Sequence, residues 1–225
     1  MSQLLALLHL CDSLFPIGGF GYSEGLEAAT SAAMVTTADD LGEWLKVCLD
    51  ETIGCTDGPI LVHAWRAFSL GDWETLVVLD AEAAALRPSS TARRSSRAMG
   101  SRLATTWHAL HPDKRFDRVL ALVGDGSLGP ALPVAFACAA ASAGVGERDA
   151  ASAFAYVRLA ATISSAMRLM SIGQTDAHTL LARALDRVPA VVETILVRPC
   201  AESFAPAMDV ALMTQQYLHS RLFRS

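Results

Sequence analysis

The 225 residues are 52% hydrophobic and carry a formal net charge of -5, which is enough apolar mass for one sizeable core and excludes a disordered chain. Mean hydropathy is high, +0.34. Even so, no run reaches the roughly 18 to 20 uninterrupted apolar residues that span a bilayer, and the N-terminal apolar run has no basic flank and is broken by Asp12, so neither a membrane segment nor a secretion signal is expected. The five cysteines, at 11, 48, 55, 138 and 200, form no disulfide framework and suit a reducing cytoplasm.

Taken in chain order, the elements are helical almost throughout. Leu4, Leu5, Leu7, Leu8 and Cys11 recur at helical spacing until Phe15-Pro16-Ile17-Gly18-Gly19 breaks the helix. A second helix is expected from about Ser23 to Met34. Thr37, with Asp39 and Asp40 behind it, opens an amphipathic series through Leu41, Trp44, Leu45, Cys48, Leu49 and Ile53, and Gly54 is expected to close it. Pro59 opens the next helix, over 60–70. Gly71-Asp72 begins another that runs through Leu86, and further helices follow over 89–110, 117–123, 130–143, 147–171, 174–187 and 205–221. Val191 to Val197 has a strand-like composition, but one isolated strand makes no sheet, so helix is expected there too. The expected architecture is all-α: a single-domain orthogonal multi-helix bundle of about ten helices over residues 1–225, with a tail at about 218–225.

Several strings resemble sites of chemistry. Gly21-Tyr22-Ser23-Glu24-Gly25 has the G-x-S-x-G form of a nucleophile elbow, which makes a serine hydrolase using Ser23 the alternative function. That motif needs a buried strand before the serine, whereas here a Phe-Pro-Ile-Gly-Gly turn precedes it, so Ser23 is better placed as a helix cap. Gly124-Asp125-Gly126-Ser127-Leu128-Gly129 has the G-x-G-x-x-G form without the strand of a dinucleotide site, and Pro130 and Pro133 fit a connection between helices. His9 with Cys11, His108 with His111 and Cys48 with Cys55 repeat no closed metal-ligand spacing, so no metal site and no cofactor is expected; a transient or subunit-shared nickel or zinc site on these imidazoles and thiolates is the open alternative.

Charge is divided along the chain. Residues 1–86 hold 13 acids against 2 bases, net -11, and residues 87–225 hold 10 acids against 16 bases, net +6. Such a division suits steered docking to a protein or between two copies of the chain. Arg93, Arg94, Arg97 and Arg102 cluster on one expected helix. They are either a solvated face paired to acids of the same chain or a docking patch for an acidic surface. Nucleic acid is not expected, because the basic excess is modest and lacks interleaved aromatics.

Three segments carry a resemblance. Leu14-Phe15-Pro16-Ile17-Gly18-Gly19-Phe20-Gly21-Tyr22-Ser23-Glu24-Gly25-Leu26-Glu27 resembles the signature turn of the UreF family of urease accessory proteins. Ala166-Met167-Arg168-Leu169 with Ile172-Gly173-Gln174-Thr175-Asp176 is similar to a second family segment, and Ser220-Arg221-Leu222-Phe223-Arg224-Ser225 is similar to the family's ending. The chain departs from the pattern at Pro130 to Pro133, at Ser171 and at Asp176-Ala177-His178. The resemblance implies an all-helical, cytoplasmic, dimer-forming protein that is not an enzyme. It would bind a UreD-like (UreH-like) accessory protein and recruit or regulate a UreG-like GTPase for nickel insertion into apo-urease. On the matching positions it implies partner binding by Arg221, Leu222, Phe223, Arg224 and Ser225, with Gly18, Gly19, Phe20, Tyr22 and Glu24 forming a corner nearby; Glu27 and Gln174 are weaker candidates. Physical reasons stand beside this. Gly18 and Gly19 permit a sharp corner into which Phe20 and Tyr22 are expected to turn. A terminal Arg-Leu-Phe-Arg is the kind of segment that orders on a partner.

Overall fold

The computed structural model describes residues 2–224, leaving Ser225 outside the described residues. It is an all-α multi-helix bundle. Eleven α-helical segments run in order: α1 Gln3–Leu10, α2 Leu26–Ser31, α3 Ala38–Val47, α4 Gly58–Leu70, α5 Trp73–Ala85, α6 Ser90–Leu110, α7 Lys114–Gly124, α8 Leu132–Ser142, α9 Glu147–Leu169, α10 Gln174–Val197 and α11 Pro206–Thr214. Among the described residues there is no strand, and no helix is long and apolar enough to cross a membrane.

Local chemistry sets the starts. Thr37 and Asp40 form a capping box on α3, and the side chains of Ser2, Asp72, Ser89 and Asp113 accept from the first turns of α1, α5, α6 and α7. Each cap satisfies amides that the helix leaves without an internal partner. The carboxyl of Asp40 is held down to about 2 by the backbone amides of Thr36 and Thr37 and by their hydroxyls.

The centre of the molecule is α8. All of 132–141 is buried, and the run of alanines lets α4, α6 and α9 close on it from several sides. Gly100 of α6 brings two backbones together at this shaft: a Cβ there would lie 2.0 Å from the carbonyl oxygen of Pro130.

Two expected breaks are absent. Gly54 does not close a helix. The chain runs on through a π-helical stretch, Cys48–Asp57, directly into α4, so the eleven segments make ten separate rods. The glycines there serve approach, not termination: a Cβ on Gly58 would meet Ile195 at 2.5 Å, and one on Gly54 would meet Val191 at 3.1 Å, so α10 seats against them. Nor does the helix expected over 174–187 stop there: α10 continues to Val197 with Pro189 inside. Burial of Val188, Val192 and Ile195 in the core, worth about 1.5 to 3 kcal/mol per side chain, outweighs the roughly 3 kcal/mol that an interior proline costs. The strand-like Val191 to Val197 run is therefore helix. Two other helices are shorter than expected. The second spans only Leu26–Ser31, and α11 stops at Thr214, followed by a 3-10 turn Gln215–Tyr217 and an extended tail.

Candidate docking site

The glycine corner is built from positive-φ backbone. Gly18 (φ 75°) and Gly25 (φ 88°) take left-handed conformations, and Glu24 joins them at φ 53°, which a non-glycine residue adopts only when its surroundings hold it there. What holds Glu24 is Arg158 of α9, which pairs with its carboxylate. Arg158 is so deeply buried that loss of solvation lowers its guanidinium to about 10, and an opposite charge beside it offsets that cost. Gly25 is also a close-approach position, since a Cβ there would stand 3.2 Å from the backbone nitrogen of Leu212 in α11.

Under the corner lies Glu27, buried in the first turn of α2. Its carboxylate accepts from three donors: Oε1 from the backbone amide of Leu222, and Oε2 from the amide of Phe223 at 3.2 Å and from Gln215 Nε2 at 3.1 Å. Fully buried Gln215 completes the knot, its Oε1 accepting from the amide of Gly25 at 3.2 Å and its Nε2 donating to Ser23 Oγ at 3.0 Å. A buried carboxylate is tolerable when hydrogen bonds saturate it, and here the donors come from the last residues of the chain. The amide of Arg224 adds a bond to the carbonyl of Gly21 at 2.8 Å. Phe223 is 3% exposed, with the guanidinium of Arg168 4.0 Å above its ring. The same guanidinium donates to the carbonyl of Phe20 at 2.6 Å.

The tail is thus held by its own chain, which differs from a segment that orders only on a partner: Glu27 supplies the acceptors, and Phe223 fills the space beneath the corner. Phe20 consequently does not turn inward. It is 75% exposed, while Tyr22 is half-buried; Leu222 and Tyr217 stand out at 62% and 79%. Arg221 and Arg224 are exposed as well. Of the expected residues, Gly18, Gly19, Phe20, Tyr22, Glu24, Phe223 and Arg224 meet at one corner. Arg221 and Leu222 lie on its outer side, and Gln174 sits apart, at the start of α10. Sequence reasoning missed Gln215 and Arg158, and it ranked Glu27 below its importance. A lone base in the apolar run Ala155 to Ala161 was the available signal for Arg158, whereas Gln215, between Thr214 and Gln216, gave none.

The other strings resolve into structural roles. Ser23 is buried, accepts from the amide of Glu27 at 3.4 Å and follows no strand, so the exposed hydroxyl of a nucleophile elbow is missing. The glycine-rich 124–129 joins α7 to α8, and its amides are already occupied: that of Gly126 donates to the carbonyl of Val123 at 3.2 Å, that of Leu128 to the carbonyl of Leu122 at 2.9 Å and that of Gly129 to buried Asp80 at 2.8 Å. His108 Nε2 lies 3.1 Å from Asp117 Oδ1, whereas His111 packs on Trp107 and His9; among the described residues no three potential ligands gather into a metal site. All five cysteines are free, and burial pushes the Cys48 thiol up to about 12.

The UreF family model matches residues 35–185. The urease accessory protein UreF of Polaromonas sp. (strain JS666 / ATCC BAA-500) is 31% identical over 226 aligned residues, which cover 100% of this chain and 95% of that protein. The family model leaves out both the corner and the tail, but the full-length relative spans them, and two-thirds of the chain lies within the model. The chain belongs to the UreF family.

Proposed function

We propose that this protein is a urease maturation factor acting in the cytoplasm as a non-enzymatic adaptor. It binds a UreD-like (UreH-like) protein and recruits or regulates a UreG-like GTPase for nickel insertion into apo-urease, nickel being the cargo. Family membership supports the maturation role. The observation that favours docking is the corner itself, where Glu27 fixes the tail so that Phe20, Leu222 and Tyr217 face outward together with Arg221 and Arg224. Large exposed apolar groups rimmed by arginines, on a backbone fixed in advance, are what a protein interface requires, because little ordering entropy remains to be lost on binding. One contiguous core beneath the corner supports a single domain over 1–225, and the division of charge suits a homodimer.

The test is co-purification with UreD-like and UreG-like proteins. Deleting 221–225, or making Phe223→Ala, should abolish the complex; assembly of the truncated chain at normal affinity would remove the tail from the interface. A serine-reactive phosphonate should leave Ser23 unlabelled in the folded protein, and labelling would revive the hydrolase alternative.

A further inference from the structure

The solvent face of α6 carries charge that the fold leaves uncompensated. Between Glu82 and Asp113 the chain contains no acid, while Arg93, Arg94, Arg97 and Arg102 lie within that stretch. Several cations elsewhere are paired, among them Arg66 with Glu147, Arg87 with Asp57, Arg148 with Glu193 and Arg187 with Asp50. None of the four α6 arginines belongs to an ion pair among the described residues. Arg93 donates to the carbonyls of Arg87 and Pro88 and Arg94 to the hydroxyl of Thr91, contacts that hold a guanidinium without neutralising it.

This arrangement opposes helix stability in two ways. Arg93 and Arg94 face Arg97 across one turn, where like charges repel, and both stand near the positive end of the helix dipole. Two of the guanidiniums are nonetheless seated. That of Arg97 lies across Gly129, and that of Arg102 lies across Gly18, so near that a Cβ on these glycines would meet them at 2.8 and 2.5 Å. The band therefore runs from the α7 to α8 connection to the glycine corner. Arg94 and Arg102 are about 12 Å apart along the axis.

We propose that this band is a second docking surface, contiguous with the corner, for a carboxylate-rich surface of a protein partner. Arginine forks match carboxylates in geometry as well as charge. Nucleic acid fits less well, because the chain as a whole is at -5 and the exposed positions of α6 include no aromatic on which bases stack. The identity of the partner rests on the adaptor role; the chemistry of the surface does not.

Two arms separate these claims. In the first, a fluorescently labelled polyglutamate peptide is titrated with the full chain and with R94Q/R97Q/R102Q, whose fold is checked by circular dichroism. The peptide should bind the wild type with an affinity that falls as salt rises, and the variant at least about tenfold more weakly. No binding by the wild type, equal binding by the variant, or tighter binding of an equally long DNA duplex would each overturn the proposal. In the second arm, association with purified UreD-like and UreG-like proteins is followed at low salt. The triple variant should associate more slowly with at least one of them, with the dissociation rate little changed; unchanged association with both overturns the α6 surface and leaves the adaptor role standing. If even the wild type binds neither, the adaptor role fails, and the peptide arm still decides the surface.

Discussion

At the scale of single residues, buried charge is where this chain is most sensitive. Among the described residues Glu27 is the one acceptor for two tail amides, so Glu27→Ala leaves them unsatisfied or exposes them. A loss of about 1 to 3 kcal/mol of local stability is expected, read as faster hydrogen exchange over 215–224. Exchange as slow as in the wild type would mean that Phe223 packing alone holds the tail. Asp57 is 1% exposed, and its carboxylate accepts from Arg87 Nη2 at 2.8 and 2.9 Å. Arg87→Ala should therefore cost about 3 to 5 kcal/mol in urea unfolding, since it strands a buried carboxylate, and Asp57→Asn in the same background should recover part of the loss. Neither partnership was legible in the sequence. Glu27 stood in a recognisable motif, but its donors come from some 190 positions later in the chain.

At the scale of elements, two glycines at α6 and α7 make a paired experiment. Gly100→Ala drives a Cβ into the Pro130 carbonyl, whereas a Cβ on Gly124 meets nothing within 4 Å. The first should destabilise by about 3 kcal/mol or more and the second should be neutral or stabilise by up to about 1 kcal/mol; thermal unfolding of the two variants compares them directly. The attachment of α1 should be sensitive to pH. His9 and Phe15 pack on Trp107 and His111, and burial, reinforced by the charges of His9 and the N-terminus, lowers the pKa of His111. A histidine kept neutral in the fold contributes stability that is present above its ordinary value near 6.5 and declines as pH falls below it. Trp107 emission should therefore report loosening of α1 on acidification below about 6.5, and His111→Phe should flatten that response. The helices themselves were mostly legible, because 3.6-residue periodicity and capping residues act locally. The errors at Gly54 and Pro189 arose where packing against a distant helix overrode local punctuation.

At the scale of the molecule, the core and the proposed docking corner occupy different sets of residues. The contiguous core ends at Ala211 of α11, and Phe223, although buried, lies outside it. Removing 218–225 should shift the global unfolding midpoint by no more than a few degrees, while abolishing the partner complex; a large fall in the midpoint would show that the tail is part of the folding unit. What the sequence determined by itself was the all-α class, most helix positions and the three family segments, because each rests on composition, period or short spacing. What only the tertiary structure decided was where the ends meet: that Glu27 and Gln215 bind residues of the tail and of Ser23 to Gly25, that Arg158 secures the corner and that the α6 arginines enter no ion pair among the described residues. Those facts depend on contacts between positions scores of residues apart, and a buried or unpaired charge becomes visible only once the chain has closed around it.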